Sequence, residues 1–220
     1  LAPVFLLALS QANAVDPFKT VLSFFIIHLL VYPSSNGYNS YVDRDTGSIG
    51  GLEKPPMPGK DLYYVTLVLD LLAILLATAV HITFSLCVAI YILASRAYSG
   101  NPLRLKRHPL LSFFTVIFFQ GGFSVWMCMM AITDRAIIPD STHMLLLTAA
   151  SLQIAAAYPL TQVYQHKADA SSGIKSLSMM LGIKGTFVFT IFCFTLCNLF
   201  YFLYFKARDN ISAFVLLQIF

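Results

Sequence analysis

The chain has 220 residues, 58% of them apolar and 11% charged, with a formal net charge of +4 and a mean hydropathy of +0.75. That composition excludes a soluble globular domain. Apolar runs long enough to cross a hydrocarbon core of about 30 Å recur along the whole length, which also excludes a soluble domain with one anchor. The expectation is a single all-α domain over residues 1–220, a polytopic transmembrane helical bundle surrounded by membrane lipid, with no nucleic-acid partner.

The opening stretch, Leu1 to Ala14, reads as the tail of a cut first transmembrane helix. It ends in small residues as a signal peptide would, but lacks the basic leading region. Complete spans are predicted near Pro17 to Tyr41, Leu62 to Val80, Ile82 to Tyr98, Pro109 to Ile132, Ser141 to Tyr164 and Ile183 to Phe205. The run from Ile211 to Phe220 is a second fragment, so both ends read as truncated.

Alternating spans put the loops after Tyr41, Tyr98 and Tyr164 on one side of the membrane. Ten of the 14 basic residues fall there, and Lys19, Arg135, Lys206 and Arg208 fall opposite. The excess predicts that this loop-rich side is cytoplasmic. Cys87, Cys128, Cys193 and Cys197 all lie in apolar segments, where a thiol behaves as a small hydrophobe, so neither disulfides nor zinc is expected.

An internal repeat stands out. Tyr32-Pro33-Ser34-Ser35-Asn36-Gly37-Tyr38-Asn39, leading to Asp43 and Gly47, matches Tyr158-Pro159-Leu160-Thr161-Gln162-Val163-Tyr164-Gln165, leading to Asp169 and Gly173, at identical spacing. Repeats of this kind often frame a substrate site in membrane proteins. Tyr32, Asn36, Asn39 and Asp43 share one helical face, and Tyr158, Gln162, Gln165 and Asp169 repeat it. Polar stripes are costly against lipid, so the two are expected to face a common cavity. Pro33 and Pro159 each free a carbonyl, which suits a helix that bends or widens.

Asp43, Asp45 and Asp169, with the amides of Asn39 and Gln165 one turn deeper, are hard oxygen donors suited to Mg²⁺. That ion is commonly held by a few carboxylates and completed by phosphate oxygens. Lys54, Arg104, Lys106, Arg107 and Lys175 lie on the same side and have the charge to clamp phosphate, although topology alone also explains basic loops there.

These residues carry a family resemblance. Asn39-Ser40-Tyr41-Val42-Asp43-Arg44-Asp45 is similar to the first aspartate-rich motif of the UbiA superfamily of intramembrane prenyltransferases. Gln165-His166-Lys167-Ala168-Asp169, with Gly173 and Ser176-Leu177, resembles the second. Tyr98 and the basic run ending at Arg107 resemble the family's tyrosine and basic loop.

The resemblance implies a UbiA-like fold, here with about six of the family's usual nine helices. It also implies Mg²⁺-dependent transfer of a prenyl group from a prenyl diphosphate to a lipophilic, typically aromatic, acceptor. Asn39, Asp43, Asp45 and Asp169 would then be the catalytic and metal-holding set. Lys54, Tyr98, Arg104, Lys106, Arg107, Gln165 and Lys175 would hold the diphosphate. Gly47 and Gln165 replace family acids, which implies altered metal use or a catalytically weakened regulator. A transporter is the rival class, because kinked repeated helices suit one too.

Asp70, eight residues into the Leu62 to Val80 span, is a functional candidate by its position alone or the partner of a polar group on a neighbouring helix. His28 and His81 are expected to be hydrogen-bonded or interfacial.

Overall fold

The computed structural model describes residues 2–12, 14–44, 56–133, 136–171 and 173–218, and every regular element among them is helical. In chain order these are α1 (Ala2–Ser10), α2 (Pro17–Asp43), α3 (Lys60–Thr78), α4 (Ile82–Ser99), a 3₁₀ turn (Leu105–Arg107) and α5 (Pro109–Thr133). They continue with α6 (Ser141–Val163), the short α7 (His166–Ser171), α8 (Leu177–Ala207) and α9 (Ile211–Leu217). Six of them, α2 to α6 and α8, are long and apolar enough to cross a membrane, and the protein is an integral membrane protein.

Polar residues at the span entrances set the starts. The Asp16 carboxylate accepts the Lys19 N–H at 3.1 Å, with Pro17 at the first helical position. Asp140 opens α6 by accepting from the His143 N–H at 2.8 Å, and Ser176 opens α8 by accepting from Met179 at 3.3 Å. The His81 Nδ1 accepts the Thr83 N–H at the head of α4, a capping role for one of the two histidines expected to be hydrogen-bonded. The other, His28, lies against the Phe24 carbonyl with Nδ1 at 2.9 Å.

The last span begins at Leu177 rather than Ile183. Gly182, at φ +67°, breaks the helical path, so a turn led by Ser176 precedes the apolar run. Two further departures from α geometry are π-helical stretches, Ile26–Val31 in α2 and Phe118–Gly122 in α5. The first ends at Tyr32, whose N–H reaches back to the Ile27 carbonyl, immediately before Pro33. The helix does widen ahead of Pro33, as expected, whereas α6 runs as an α-helix through Pro159.

The chain divides into two compact units, Leu1–Arg107 with Met127–Ala136, and His108–Trp126 with Ile137–Phe220. In the first, Ile26, Ile27 and Val31 of α2, Ala73 and Ala77 of α3, and Phe84 and Val88 of α4 are fully or almost fully buried. Small residues allow close helix approach here: a Cβ on Gly37 would stand 3.0 Å from the Thr66 methyl. In the second unit, Phe113, Ala155, Ala156, Leu177 and Cys193 form a buried cluster flanked by Ile117, Tyr158 and Phe189. The opposite faces of α3 and α8 expose Leu71, Leu75, Val188, Ile191 and Phe192, as a lipid-facing surface requires. The four cysteines are free and buried.

Candidate functional site

The first motif occupies the last turns of α2 and is gripped by α4 and the turn after it. Ser35 and Ser95 hydroxyls lie 2.6 Å apart. One turn on, the Ser99 hydroxyl donates to Asn39 Oδ1 at 2.7 Å. Beyond Ser99 the chain turns back through the 3₁₀ segment and delivers Lys106, 8% exposed, to the end of α2. Its ammonium donates to Asn39 Oδ1 at 3.2 Å and forms an ion pair with Asp43. Arg104 Nη2 approaches the same Asp43 oxygen at 3.5 Å, and its Nε is buried without a hydrogen-bond partner.

The amide and carboxylate oxygens of the first motif are thus gathered under two cations. Hydrogen bonds to charged groups contribute about 1.5 to 3 kcal/mol each, so the arrangement is held firmly.

Asn39, Asp43, Arg104 and Lys106 are the sequence candidates that the fold brings together. Arg107 is exposed, and Tyr98 is half-buried one residue before Ser99. Asn36 is exposed, and Tyr32 lies edge-on to His28 and Tyr91, at 5.5 and 6.0 Å between ring centroids. Only the lower half of the first stripe therefore addresses the basic turn. Asp45, Gly47 and Lys54 lie outside the described residues.

The second motif is built differently from its sequence twin. The helix ends at Val163, so Gln165 sits in a turn and Asp169 on the separate α7, and the uninterrupted stripe expected from Tyr158 to Asp169 does not form. Gln162 explains part of the divergence. Its Oε1 accepts the Ser178 backbone N–H at 3.3 Å, satisfying a donor at the start of α8 that the helix itself leaves unpaired. His166 Nε2 lies 2.9 Å from the Ser178 hydroxyl, which is 3.0 Å from that of Thr186. This buried polar cluster ties α6, α7 and α8 together.

Gln165 donates to the Tyr164 hydroxyl at 2.9 Å. The Asp169 carbonyl accepts the Ile174 N–H across Gly173, whose φ of +66° a side chain would strain. Lys175 is exposed.

Sequence reasoning missed Ser99 and the part played by Arg96, which it counted only as a topological charge. Asp70 proves to be its partner: Arg96 Nε donates to Asp70 Oδ2 at 2.9 Å. An arginine shortly before the end of an apolar span was the available signal.

Among the described residues no three His, Cys, Asp or Glu side chains converge to hold a metal alone. Asp43 and Asn39 instead offer a sparse hard-oxygen set of the kind Mg²⁺ uses when phosphate oxygens complete its shell. The donors present fit that shared arrangement.

The model of the UbiA prenyltransferase family matches residues 1–219. Two solved structures share the fold. One is a UbiA homolog from Archaeoglobus fulgidus bound to DMAPP and Mg²⁺, with a TM-score of 0.71 at 17% identity, covering 99% of this chain and 76% of that one. The other is digeranylgeranylglyceryl phosphate synthase, with a TM-score of 0.65 at 18% identity, covering 93% of this chain and 71% of that one. No curated protein matches the chain.

Proposed function

The chain belongs to the UbiA prenyltransferase family, and on that premise we propose that it transfers a prenyl group from a prenyl diphosphate to an aromatic or other lipophilic acceptor inside the membrane. The observation that carries the reading is the convergence of Lys106 and Arg104 on Asp43, with Asn39 beside it. A diphosphate needs cations for its oxygens and a carboxylate for its metal, and this cluster supplies both. The likeness to a homolog bound to DMAPP and Mg²⁺ supports the same substrate class.

In this reading Asp43 and Asn39 would hold Mg²⁺, with Asp45, and Asp169 of the second motif, as the further carboxylates the motifs supply and Gln165 in a family acid's place. The metal supplies charge stabilisation for the departing diphosphate. Lys106 and Arg104 pair with the phosphate oxygens as negative charge builds on them, assisted by Lys54, Tyr98, Arg107 and Lys175. The allylic C–O bond breaks, its electron pair leaves with the diphosphate, and the acceptor ring attacks the prenyl cation and then loses a proton. Among the 19 Phe and 11 Tyr, those beside the reacting carbon exclude water and present ring faces to the cation. The positive-inside bias assigns this side of the membrane to the cytoplasm.

Lys106 adds an order of events. Its ammonium occupies the oxygens of Asp43 and Asn39 that a metal would use, so Lys106 would have to shift from carboxylate to phosphate before those oxygens could serve a metal.

A second reading, diphosphate binding without turnover, draws on Gln165 and Gly47, which reduce the number of carboxylates. Purified protein supplied with Mg²⁺, a labelled prenyl diphosphate and a panel of aromatic acceptors separates the two. Prenylated product, lost in Asp43→Ala and Asp169→Ala, is the expected result. Diphosphate binding with no product from any acceptor leaves the binding-only reading, and solute movement with neither indicates a transporter.

A further inference from the structure

We propose that Arg96 is a positioning residue for the metal-diphosphate site, acting through Tyr38 to aim Asn39 and Asp43; this rests on the prenyl-diphosphate reading above. Arg96 projects from α4 into a node made by three helices. Its Nε donates to Asp70 Oδ2 of α3 at 2.9 Å, and Nη2 pairs with the same oxygen. Nη1 donates to Thr66 Oγ1 of α3 at 3.2 Å, and Nη2 also reaches Ser34 Oγ of α2 at 3.2 Å. The Ser34 hydroxyl donates in turn to the other Asp70 oxygen. The guanidinium lies over the ring of Tyr38, with Cζ 4.0 Å from the centroid.

The node sits between two contacts that step along α2 and α4 in register, Ser35 with Ser95 and Asn39 with Ser99. Tyr38 is the immediate neighbour of Asn39, and its hydroxyl lies so close to Gly100 that a Cβ there would collide with it. The ring is therefore wedged between the Arg96 guanidinium and the end of α4. A wedge at that point stops α2 from rolling about its axis, and rolling is the motion that would carry the Asn39 and Asp43 oxygens away from Lys106.

Helix cohesion alone does not require such a device. Replacing a buried ion pair by well-packed apolar residues is often neutral or stabilising. A planar cation with donors in a fixed fork, set over an aromatic ring, also gives orientation that a point charge lacks. The node is built for direction as well as attachment.

The test reads binding and kinetics together. Mn²⁺ binding in the presence of inorganic diphosphate is followed by electron paramagnetic resonance, alongside prenyl transfer with Mg²⁺, for wild type, Arg96→Lys, Tyr38→Leu, Tyr38→Phe and the pair Arg96→Met with Asp70→Leu. Arg96→Lys and Tyr38→Leu are expected to weaken Mn²⁺-diphosphate binding by up to about thirtyfold, the scale of a desolvated cation–π contact. They should raise the KM for prenyl diphosphate while leaving the acceptor KM unchanged. Tyr38→Phe keeps the ring under the guanidinium but removes the hydroxyl that abuts Gly100, and is expected to weaken binding less than Tyr38→Leu. The apolar pair is expected to keep wild-type thermal stability yet bind weakly.

Wild-type binding in Arg96→Lys and Tyr38→Leu, or in the apolar pair, would overturn the inference while leaving the prenyl-diphosphate reading intact. A wild-type protein that neither binds Mn²⁺ with diphosphate nor transfers a prenyl group would overturn both.

Discussion

Lys106 and Asp43, 63 residues apart in sequence, form an ion pair in which the two side chains are only 7% and 14% exposed. Asn39 shares the ammonium, and Arg104 stands behind the carboxylate at 3.5 Å. The cation neutralises the same oxygens that a divalent metal would use in the proposed reading, so the pair bears on both the stability of the site and its metal affinity.

Metal binding in the absence of diphosphate is the first consequence. Lys106→Ala removes the competitor for the Asp43 carboxylate, so Mn²⁺ alone is expected to bind more tightly than to wild type. Prenyl diphosphate loses a charge-assisted partner of about 1.5 to 3 kcal/mol, and its KM should rise by about ten- to a hundredfold. Opposite movements of these two quantities identify the exchange; a parallel loss of both excludes it.

Stability should respond to the same pair in a non-additive way. Asp43→Ala takes a carboxylate away from a buried ammonium, and removal of one partner from such a pair costs up to about 3 to 5 kcal/mol. The double variant Asp43→Ala with Lys106→Ala is expected to melt above the single Asp43→Ala in detergent, which thermal unfolding of the four-member cycle measures directly.

The second motif offers a gain as well as a loss. Asp169→Ala is expected to reduce turnover by about 10²-fold or more, on the scale of losing one preorganised electrostatic contact. Gln165→Asp restores an acid at the divergent position and should lower the Mg²⁺ concentration needed for half-maximal activity. A titration of initial rate against Mg²⁺ for both variants decides whether the second motif serves the same diphosphate as the first.

In the second unit, α5 approaches α6 so closely that a Cβ on Gly121 would fall 2.6 Å from the Ser151 Cα. Gly121→Ala must push backbone apart there and is expected to cost about 1 to 3 kcal/mol, in the range of overpacked cores. Its melting temperature should fall well below that of an alanine substitution at the exposed Ile138.

At the entrance to α6, Asp140 accepts from the His143 backbone N–H and side chain, and these hydrogen bonds hold its carboxyl below the ordinary carboxylate range. A lowered pKa in the folded state means the cap contributes fully above the unfolded value of about 3.9 and is lost as pH falls through the folded one. Faster amide exchange in the first turn of α6 is expected as that acid limb is crossed. Asp140→Asn should lack this step.

Hydropathy was enough to read the six spans, because lipid imposes length and composition on any helix that crosses it. The first motif was legible for a related reason: polar residues recurring on one face of an otherwise apolar helix have to face something other than lipid. What the letters hid was the asymmetry between the two copies. Tyr158 to Asp169 has the same spacing as Tyr32 to Asp43, yet Gln162 is drawn to the Ser178 N–H and the helix stops at Val163. That outcome depends on where α8 begins, a tertiary fact outside the repeat. Arg96 escaped for the same reason, since its partners Asp70, Thr66 and Tyr38 lie on two other helices.

The π-helical stretch Ile26–Val31 gives α2 an unusual tolerance to change of length. An α-helix turns by roughly 100° per residue, so deleting one residue from a regular stretch swings everything beyond it by more than a quarter of a circle. A wide turn absorbs a surplus residue, and a deletion confined to it would tighten the turn while Asn39 and Asp43 kept their heading relative to the upstream half of the helix. Natural length variation in this span should therefore collect within those six residues and be sparse on either side of them.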